Sequence, residues 1–293
     1  MFRLAAELKM RRLILGNLPF LGISYQGRER DRECRERFSD KNEMKRVMRV
    51  AIDYGTRFFS ASSHRFNELA PLHLEAIREV EEEEGTEIIL ISCISVPLKI
   101  GGAGVNDYKR WKTHVVYEAE RFGRDVLRRT LEDPVLNCRP AWRENLVSAR
   151  PYAEAQLQRR LSIDWGSWEE SIDRLSSWRV GWIEPGSETD FLALSRIDLL
   201  GELIDRTRDA GYRCLLGSHH LGVTARLLGE AGLRGFDGYV TPINKLGVMM
   251  FPTRREAEEA ARESRDRGRM IIAIKPFAGG RIIRRPSSTS SGG

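Results

Sequence analysis

The fold is decided by the stretch that contains Tyr212-Arg-Cys-Leu-Leu-Gly217, Gly238-Tyr-Val-Thr-Pro-Ile243 and Arg269-Met-Ile-Ile-Ala-Ile-Lys275. Each of these three segments is short and largely apolar, which is typical of a buried strand. Residues 224–232 and 253–267 lie between them and have the apolar spacing of helices. Strands that alternate with helices in this way form βα units around a parallel sheet.

The same alternation extends toward the N-terminus, where four further strands and three helices are predicted. The strands lie at residues 12–17, 56–61, 87–94 and 179–184, and the helices at residues 40–54, 69–84 and 191–210. Seven strands of this kind in 293 residues favour an α/β fold of the TIM (β/α)8 type over an open sheet. The eighth unit is then either absent from this chain or hidden in the section described next.

Residues 99–166 do not follow this alternation of strands and helices. The section contains a strongly helical stretch at residues 108–130 and a Pro/Arg/Trp-rich stretch at residues 137–152. A loop between a strand and its helix usually has about 2–6 residues, so this section is predicted to be an inserted helical lid or subdomain. We therefore expect a single barrel domain at residues 1–283 with this insertion. A disordered Ser/Gly-rich tail is expected at residues 284–293.

The composition excludes several classes of protein. Apolar residues make up 41% of the chain, which is too high for a disordered protein. No stretch approaches the roughly 18 consecutive apolar residues of a transmembrane helix. Residues 1–12 carry charges where a signal peptide is apolar, and the four cysteines are too far apart to form a cysteine-ligated zinc or iron–sulfur site. These features predict a cytoplasmic protein.

The charge pattern argues against nucleic acid as a partner. The chain has 48 Lys+Arg against 42 Asp+Glu, a formal net charge of +6, and the two signs are mixed along it. A nucleic-acid binder concentrates positive charge on one element and interleaves aromatic residues, which only residues 139–160 resemble. We expect a small molecule as the partner, and the sequence leaves the oligomeric state open.

The ends of the predicted strands supply the candidate catalytic residues, because reacting groups in TIM barrels lie at the C-terminal ends of the strands. Glu184 ends the fourth predicted strand, His219 and His220 follow the fifth, and Lys275 ends the seventh. A glutamate beside apolar residues can act as a base with a raised pKa, and histidine titrates near neutrality. Lys275 could bind a phosphate or carboxylate, form a Schiff base, or pair with Glu184.

Glu184 and His220 are also candidate ligands of a divalent metal, because they come from neighbouring strands. Two ligands do not complete a metal site, and Asn244 or Asp53 would be weak additions. Adjacent side chains on a strand point to opposite faces, so at most one of His219 and His220 faces the barrel mouth. The structural alternatives are a glutamate bonded to loop amides and a histidine that caps its strand.

A second group of polar residues near the strand ends is expected to contact the substrate: Ser60, His64, Ser218 and Asn244. Gly279 and Gly280 beside Arg281 could hold a cofactor phosphate through backbone N–H groups and positive charge. A simple turn explains the same two glycines. The Gly-x-Ser-x-Gly elbow of the α/β-hydrolases is absent from the sequence, which argues against a serine hydrolase.

Four segments carry a resemblance to a known family: Gly55-Thr-Arg-Phe-Phe-Ser-Ala-Ser62, Gly211-Tyr-Arg-Cys-Leu-Leu-Gly-Ser-His219, Thr241-Pro-Ile-Asn244 and Lys275-Pro-Phe-Ala-Gly-Gly280. In order and spacing they resemble segments of the aldo/keto reductase superfamily. The resemblance implies a TIM barrel, a nicotinamide-dependent carbonyl oxidoreductase and NADPH as the cofactor.

The catalytic tetrad of that family is replaced here. The family protonates a carbonyl with a tyrosine that is tuned by a lysine and an aspartate, and a histidine orients the substrate. The aspartate position reads Ser60, the tyrosine region reads Ser63-His64-Arg65, and the lysine and histidine positions fall near Cys93 and Glu184. The family's loop for the cofactor 2′-phosphate follows an eighth strand, beyond the end of this sequence. The chain therefore resembles a divergent, tetrad-lacking member.

The sequence thus predicts a small-molecule enzyme with an atypical active site, and oxidoreductase is the class that the resemblance implies. One alternative is a metal-dependent lyase or isomerase in which Glu184 and His219 or His220 hold the cation and Lys275 binds the anionic end of the substrate. Another is a non-catalytic binding or assembly protein that uses the Arg/Trp-rich residues 137–178 as its contact surface. The cofactor stays open between NADPH and a divalent metal.

Overall fold

The structure is a computed structural model that describes residues 13–123 and 125–282. The strands in this part are β1 (Phe58–Ser62), β2 (Ile89–Ile94), β3 (Leu98–Ile100), β4 (Ala103–Gly104), β5 (Leu161–Ile163), β6 (Val180–Pro185), β7 (Arg213–Gly217), β8 (Gly238–Pro242) and β9 (Met270–Ile274). The α-helices are α1 (Arg28–Phe38), α2 (Lys41–Asp53), α3 (Leu69–Glu84), α4 (Asp107–Phe122), α5 (Val126–Glu132), α6 (Trp142–Ser148), α7 (Glu154–Arg160), α8 (Trp165–Asp173), α9 (Glu188–Ser195), α10 (Ile197–Asp209), α11 (Leu221–Glu230) and α12 (Arg254–Asp266). The predicted tail at residues 284–293 lies outside the described residues.

The main sheet has the parallel order that the alternating sequence predicts. Its six strands lie in the order β1-β2-β6-β7-β8-β9, and every neighbouring pair is parallel. Strands that follow one another along the chain are therefore neighbours in the sheet, with helices in the connections, as in TIM-type barrels. The sheet is curled into a half-barrel, which confirms the predicted α/β class.

The first predicted strand, at residues 12–17, is reduced to a single parallel bridge between Leu15 and Phe59 in the described chain. The Leu15 N–H donates to Phe58 O at 3.0 Å, and the Ser60 N–H donates to Leu15 O at 2.8 Å. This bridge adds a seventh position at the β1 edge. Among the described residues, β9 pairs with β8 alone, so no eighth strand closes the sheet there.

The side chains of the sheet alternate between two layers, since successive residues of a strand face opposite sides. The concave side is filled by one buried apolar cluster with members from every strand of the main sheet: Phe58, Ile89, Ile91, Trp182, Leu215, Val240 and Ile272. The other side packs under the helices in a larger cluster that includes Phe59, Leu90, Ile183 and Leu216. The interior of the half-barrel is therefore packed, and chemistry is possible only at the ends of the strands.

Helix ends follow the local capping chemistry. Asp40 accepts a hydrogen bond from the Asn42 N–H and begins α2, as predicted, and Thr253 caps α12 in the same way through the Glu256 N–H.

The helix predicted at residues 191–210 is instead two helices, α9 and α10. The backbone at Arg196 is extended between them (φ −151°), and its guanidinium donates to Leu161 O. Helix α1 was not predicted, because only Cys34 and Phe38 of this very polar segment are buried.

The section between β2 and β6 has its own small architecture. β3 pairs with β4 and β5 in an antiparallel sheet, five helices lie in the same section of the chain, and α7 packs against β3 and β5. The single helix predicted at residues 108–130 is two helices, α4 and α5, because Gly123 adopts a left-handed conformation (φ 67°) and ends the first. Helix α4 packs against α9, which follows β6. This contact brings α4 to the C-terminal ends of the main strands.

No helix in residues 13–123 or 125–282 is both long and apolar enough to span a membrane.

Candidate functional site

The inner face of the sheet changes from apolar to polar at the C-terminal ends of the strands. Side chains two residues apart on a strand face the same side of the sheet. Ser60, Cys93 and Glu184 lie two residues after the inward-facing Phe58, Ile91 and Trp182, so they face inward as well. Ser60, Cys93 and Glu184 are partly exposed, whereas the apolar residues below them are buried. We call this polar edge the rim, defined by Ser60, Cys93, Glu184, His219 and Lys275.

Glu184 is the acid of the rim. It lies opposite Cys93 in the register of β2 and β6. Burial raises the pKa of Glu184 to about 8, with a further rise from Glu188, while a hydrogen bond with Cys93 and the charge of Lys275 oppose this. The carboxyl group is therefore mostly protonated at neutral pH and can both give and take a proton near that pH.

Gly217 provides the space for this carboxyl group. A Cβ at Gly217 would lie 2.1 Å from Glu184 Oε1 and 2.8 Å from Pro185 O. No side chain fits there while Glu184 keeps its position. The glycine at the end of β7 is therefore required for the observed position of the Glu184 carboxyl group.

Lys275 and His219 form the cationic half of the rim. Lys275 Nζ lies 3.3 Å from His219 Nε2 and 4.8 Å from the centre of the Tyr25 ring. Burial lowers the pKa of His219 well below its usual value, and the charge of Lys275 lowers it further. His219 is therefore neutral, and its Nε2 accepts a hydrogen bond from the ammonium group. No carboxylate forms an ion pair with Lys275 among the described residues, and the charge of Lys275 acts on the Glu184 carboxyl group, whose pKa it lowers.

Ser60 belongs to a short hydrogen-bonded chain on the β1 side. Its hydroxyl donates to Asn17 Oδ1 at 3.1 Å, and Asn17 Nδ2 donates to Ser62 Oγ at 2.8 Å. Asn17 and Ser62 are buried, whereas Ser60 is partly exposed. Ser60 is thus the member that can reach a bound molecule.

The loop that carries both histidines is held by one buried carboxylate, Asp190 of α9. Its Oδ1 accepts from Ser218 Oγ and Thr224 Oγ1, both at 2.6 Å. Its Oδ2 accepts from the backbone N–H groups of His219 at 2.8 Å and His220 at 3.2 Å. Ser218, predicted to contact substrate, therefore serves to fix the loop.

His220 points away from the rim into a second cluster of titratable groups. His220 Nδ1 lies 2.6 Å from Glu118 Oε2, and His114 Nε2 lies 3.0 Å from the same oxygen. One ligand atom from each residue lies within 4.8 Å of the others, which makes this a candidate metal site. We call His114, Glu118 and His220 the His-Glu-His cluster. Glu184, the predicted metal partner of His220, is not part of it.

The remaining predicted substrate residues have other contacts. Asn244 holds its own turn, because its side chain exchanges two hydrogen bonds with the backbone of Val248 at 2.9 and 3.0 Å. His64 is near Arg65 and Arg174; burial and these two charges lower its pKa. None of these contacts joins Asn244 or His64 to Lys275 or His219.

The predicted phosphate-binding residues form a tight turn. Arg281 donates to the carbonyl oxygens of Tyr25 and Pro134 at 2.9 and 2.6 Å, so much of its guanidinium is already bound. Gly279 and Gly280 have φ values of 64° and 81°. A Cβ at either would lie within 3 Å of a neighbouring side chain. The backbone conformation alone requires both glycines.

A surface groove of the described chain lies away from the rim. It has a volume of about 670 Å³ and is lined by residues of α8 and α10, among them Trp168, Glu202 and Arg206. None of its lining residues belongs to the rim. The rim contains the perturbed groups and the strand ends, so chemistry is assigned to the rim.

His114 and Glu118 were missed as functional residues, because a helix in an irregular section offers no strand end to mark a site. Their signal is spacing: residues 111, 114 and 118 of α4 fall on one helix face. A tryptophan, a histidine and a glutamate on one face of an amphipathic helix indicate a buried polar group. The partner that completes the cluster, His220, is about a hundred residues away in sequence.

Comparisons with known proteins leave the function open. No family model matches the chain, and no curated protein matches it. Among solved structures, the chain is similar to a mutant of the organophosphorus hydrolase from Deinococcus radiodurans, with a TM-score of 0.31 and 10% identity over 88% of this chain and 72% of that chain. The aldo/keto reductase resemblance stays a prediction of the sequence.

Proposed function

We propose that this protein is a small-molecule enzyme that moves a proton next to a carbonyl group at the rim, as isomerases and lyases do. The observation that carries the proposal is a carboxyl group with a raised pKa, an ammonium group whose charge acts on it, and a neutral imidazole 3.3 Å from that ammonium group, at the ends of β6, β7 and β9. These are Glu184, Lys275 and His219. An acid–base group beside a cation is the arrangement that carbon-acid chemistry requires.

Each residue has a defined part. Glu184, as carboxylate, takes a proton from the carbon next to the carbonyl, and as acid returns it to the same or a neighbouring carbon. Lys275, whose ammonium group lies at the rim beside His219, stabilises the negative charge that develops on the carbonyl oxygen. His219 Nε2 accepts a hydrogen bond from the Lys275 ammonium group and so holds Lys275 in place. The Ser60 hydroxyl is available to orient a substrate oxygen.

The substrate class follows from the charge of the rim. A protonated Glu184 and a neutral His219 leave Lys275 as the charged member of the five rim residues, so the anionic end of a substrate is expected to bind there. Small 2-oxo acids and phosphorylated sugars combine an acidic C–H next to a carbonyl with an anionic end. We therefore propose these two classes as substrates.

The proposal is tested by solvent isotope exchange. The protein is incubated in D2O with a panel of 2-oxo acids and sugar phosphates, and the loss of each α-proton signal is followed by 1H NMR. We expect at least one compound to exchange. We expect the exchange to be about 100-fold slower or more in Glu184→Gln, because a positioned acid–base group contributes about 10²–10⁴-fold. Glu82→Gln, an exposed position of α3, is the matched control.

Two results contradict the proposal. One is a panel without any exchange above the rate without protein, and the other is exchange that is unchanged in Glu184→Gln. A parallel arm with NADPH measures oxidation of the cofactor with the same compounds. Oxidation of NADPH without α-proton exchange would favour the oxidoreductase class that the sequence resemblance implies.

A further inference from the structure

We propose that the His-Glu-His cluster of His114, Glu118 and His220 binds one divalent transition-metal ion of the Zn²⁺ type. The ion is a resident structural ion behind the rim, separate from the proton chemistry proposed for Glu184. This inference does not depend on the proposed function.

The geometry of the donors supports the site. His114 Nε2 and His220 Nδ1 lie 3.0 and 2.6 Å from the same oxygen of Glu118. Zinc bonds of about 2.0–2.1 Å place two ligand atoms of a tetrahedral ion about 3.4 Å apart. These two spacings are within an ångström of that value, and all three ligand atoms lie within 4.8 Å of one another, so side-chain movements would admit an ion. Two imidazoles and one carboxylate are also a donor set that zinc uses in proteins.

Burial supplies the second argument. Glu118 is 0% exposed, His220 is 1% exposed and His114 is 4% exposed. A carboxylate in such surroundings needs a compensating positive charge, which a divalent cation between the three side chains would supply. The second carboxylate oxygen, Glu118 Oε1, lies without a hydrogen-bond partner in the described chain. A divalent cation compensates the charge and takes up this free acceptor capacity.

The ligands are held in place before any ion binds. His114 and Glu118 are four residues apart on α4, so the helix fixes their spacing. His220 is held through its backbone N–H by Asp190, and its ring stacks on Phe251 with 4.9 Å between ring centres. These contacts hold the ligands in place, so less side-chain freedom is lost when an ion binds.

The position of the cluster defines what the ion would do. It would join α4, from the section between β2 and β6, to the loop after β7 that carries His219. The ligands are almost fully buried, so no substrate reaches the ion, and its effect is on stability and on the placement of this loop. A ligand that binds only the folded state raises the melting temperature.

The test measures metal content and stability of the full chain. Protein freed of metal by chelation is loaded with Zn²⁺, dialysed and analysed by elemental mass spectrometry, and Tm is measured before and after loading. We expect one Zn²⁺ per chain and a rise in Tm. His114→Asn and His220→Asn should weaken binding by at least about tenfold. His73→Asn should not, although His73 is an equally buried histidine.

The wild-type measurements keep the test decisive if a variant does not fold. Loading with Co²⁺ should give visible ligand-field absorption from a nitrogen and oxygen site. The proposal is overturned if wild-type protein retains no Zn²⁺, shows no such absorption and has the same Tm with Zn²⁺ as with chelator. The cluster would then be a metal-free hydrogen-bond network. Retention of Zn²⁺ by the His114→Asn/His220→Asn double variant would overturn it as well.

Discussion

Glu184 is partly exposed at the rim and Glu118 is fully buried, and their surroundings move their pKa values in opposite directions. Burial raises the pKa of Glu184, and the charge of Lys275 only partly offsets it. Burial also acts to raise the pKa of Glu118, but the charges and hydrogen bonds of His220 and His114 outweigh it and bring that pKa well below its usual range. The partners of each carboxyl group, rather than burial alone, decide its protonation.

The raised pKa of Glu184 makes a prediction about stability and pH. Between pH of about 4.5 and about 8 the folded state keeps a proton on Glu184 that the unfolded state has lost. This group therefore stabilises the fold fully below pH 4.5, and its contribution is lost as pH rises toward 8. We expect Glu184→Gln to show a smaller loss of unfolding free energy over this range than wild type, measured by urea denaturation at several pH values. The same slope in both proteins would contradict the assignment.

Gly217 makes a second prediction at this scale. Gly217→Ala places a Cβ against the Glu184 carboxyl group and the Pro185 carbonyl oxygen, so we expect a loss of about 1–3 kcal/mol in unfolding free energy. Gly229→Ala is the matched control, because a Cβ there meets nothing within 4 Å and the position is helical. The control should gain about 0.5–1 kcal/mol. Equal stability of Gly217→Ala and wild type would show that the space beside Glu184 is not limiting.

At the scale of elements, the loop after β7 connects the rim to the His-Glu-His cluster. His219 and His220 are adjacent, yet one contacts Lys275 and the other contacts Glu118. The rule that neighbouring side chains diverge predicted that only one histidine would face the mouth of the barrel. The sequence could not show that Asp190 fixes this loop, because that contact joins α9 to a loop almost thirty residues later.

Substitution of Asp190 tests whether its carboxylate holds the loop after β7 in place. Asp190→Ala leaves two backbone N–H groups and two hydroxyl groups without their acceptor, and we expect a loss of about 3 kcal/mol or more. Hydrogen exchange of the amides of residues 218–221 should become faster at the same time. Thr224→Val breaks one of the four hydrogen bonds and should cost about 1 kcal/mol. Unchanged exchange in Asp190→Ala would contradict the role of this carboxylate.

At the scale of the whole molecule, the regular part of the fold was predictable and the irregular part was not. Strands β6 to β9 and helix α12 follow from apolar runs and capping residues that are local in sequence. In the sheet of β3, β4 and β5, the pairing of β3 with β5 joins residues about sixty positions apart, which no local sequence pattern shows. The rim was predicted in part, because Glu184, His219 and Lys275 end strands. The contacts that give each its charge depend on the folded chain.

The packed interior of the half-barrel is tested by Phe58→Ala. Phe58 is 3% exposed and lies in the inner cluster of the sheet, so we expect a loss of about 3–5 kcal/mol in unfolding free energy. Phe277→Ala is the matched control, because Phe277 is 65% exposed and its loss should change the free energy by less than about 0.5 kcal/mol. Similar effects of both substitutions would show that the concave side is not a packed core.

The most direct test of the rim as one acid–base site is a titration of Glu184 by 13C NMR. Glutamate side-chain carboxyl carbons are labelled, and the signal of Glu184 is assigned by its loss in Glu184→Gln. We predict that Glu184 titrates near pH 8 in wild type and at still higher pH in Lys275→Met, because the ammonium group favours the carboxylate. Titration near pH 4.5 in both proteins would contradict the account.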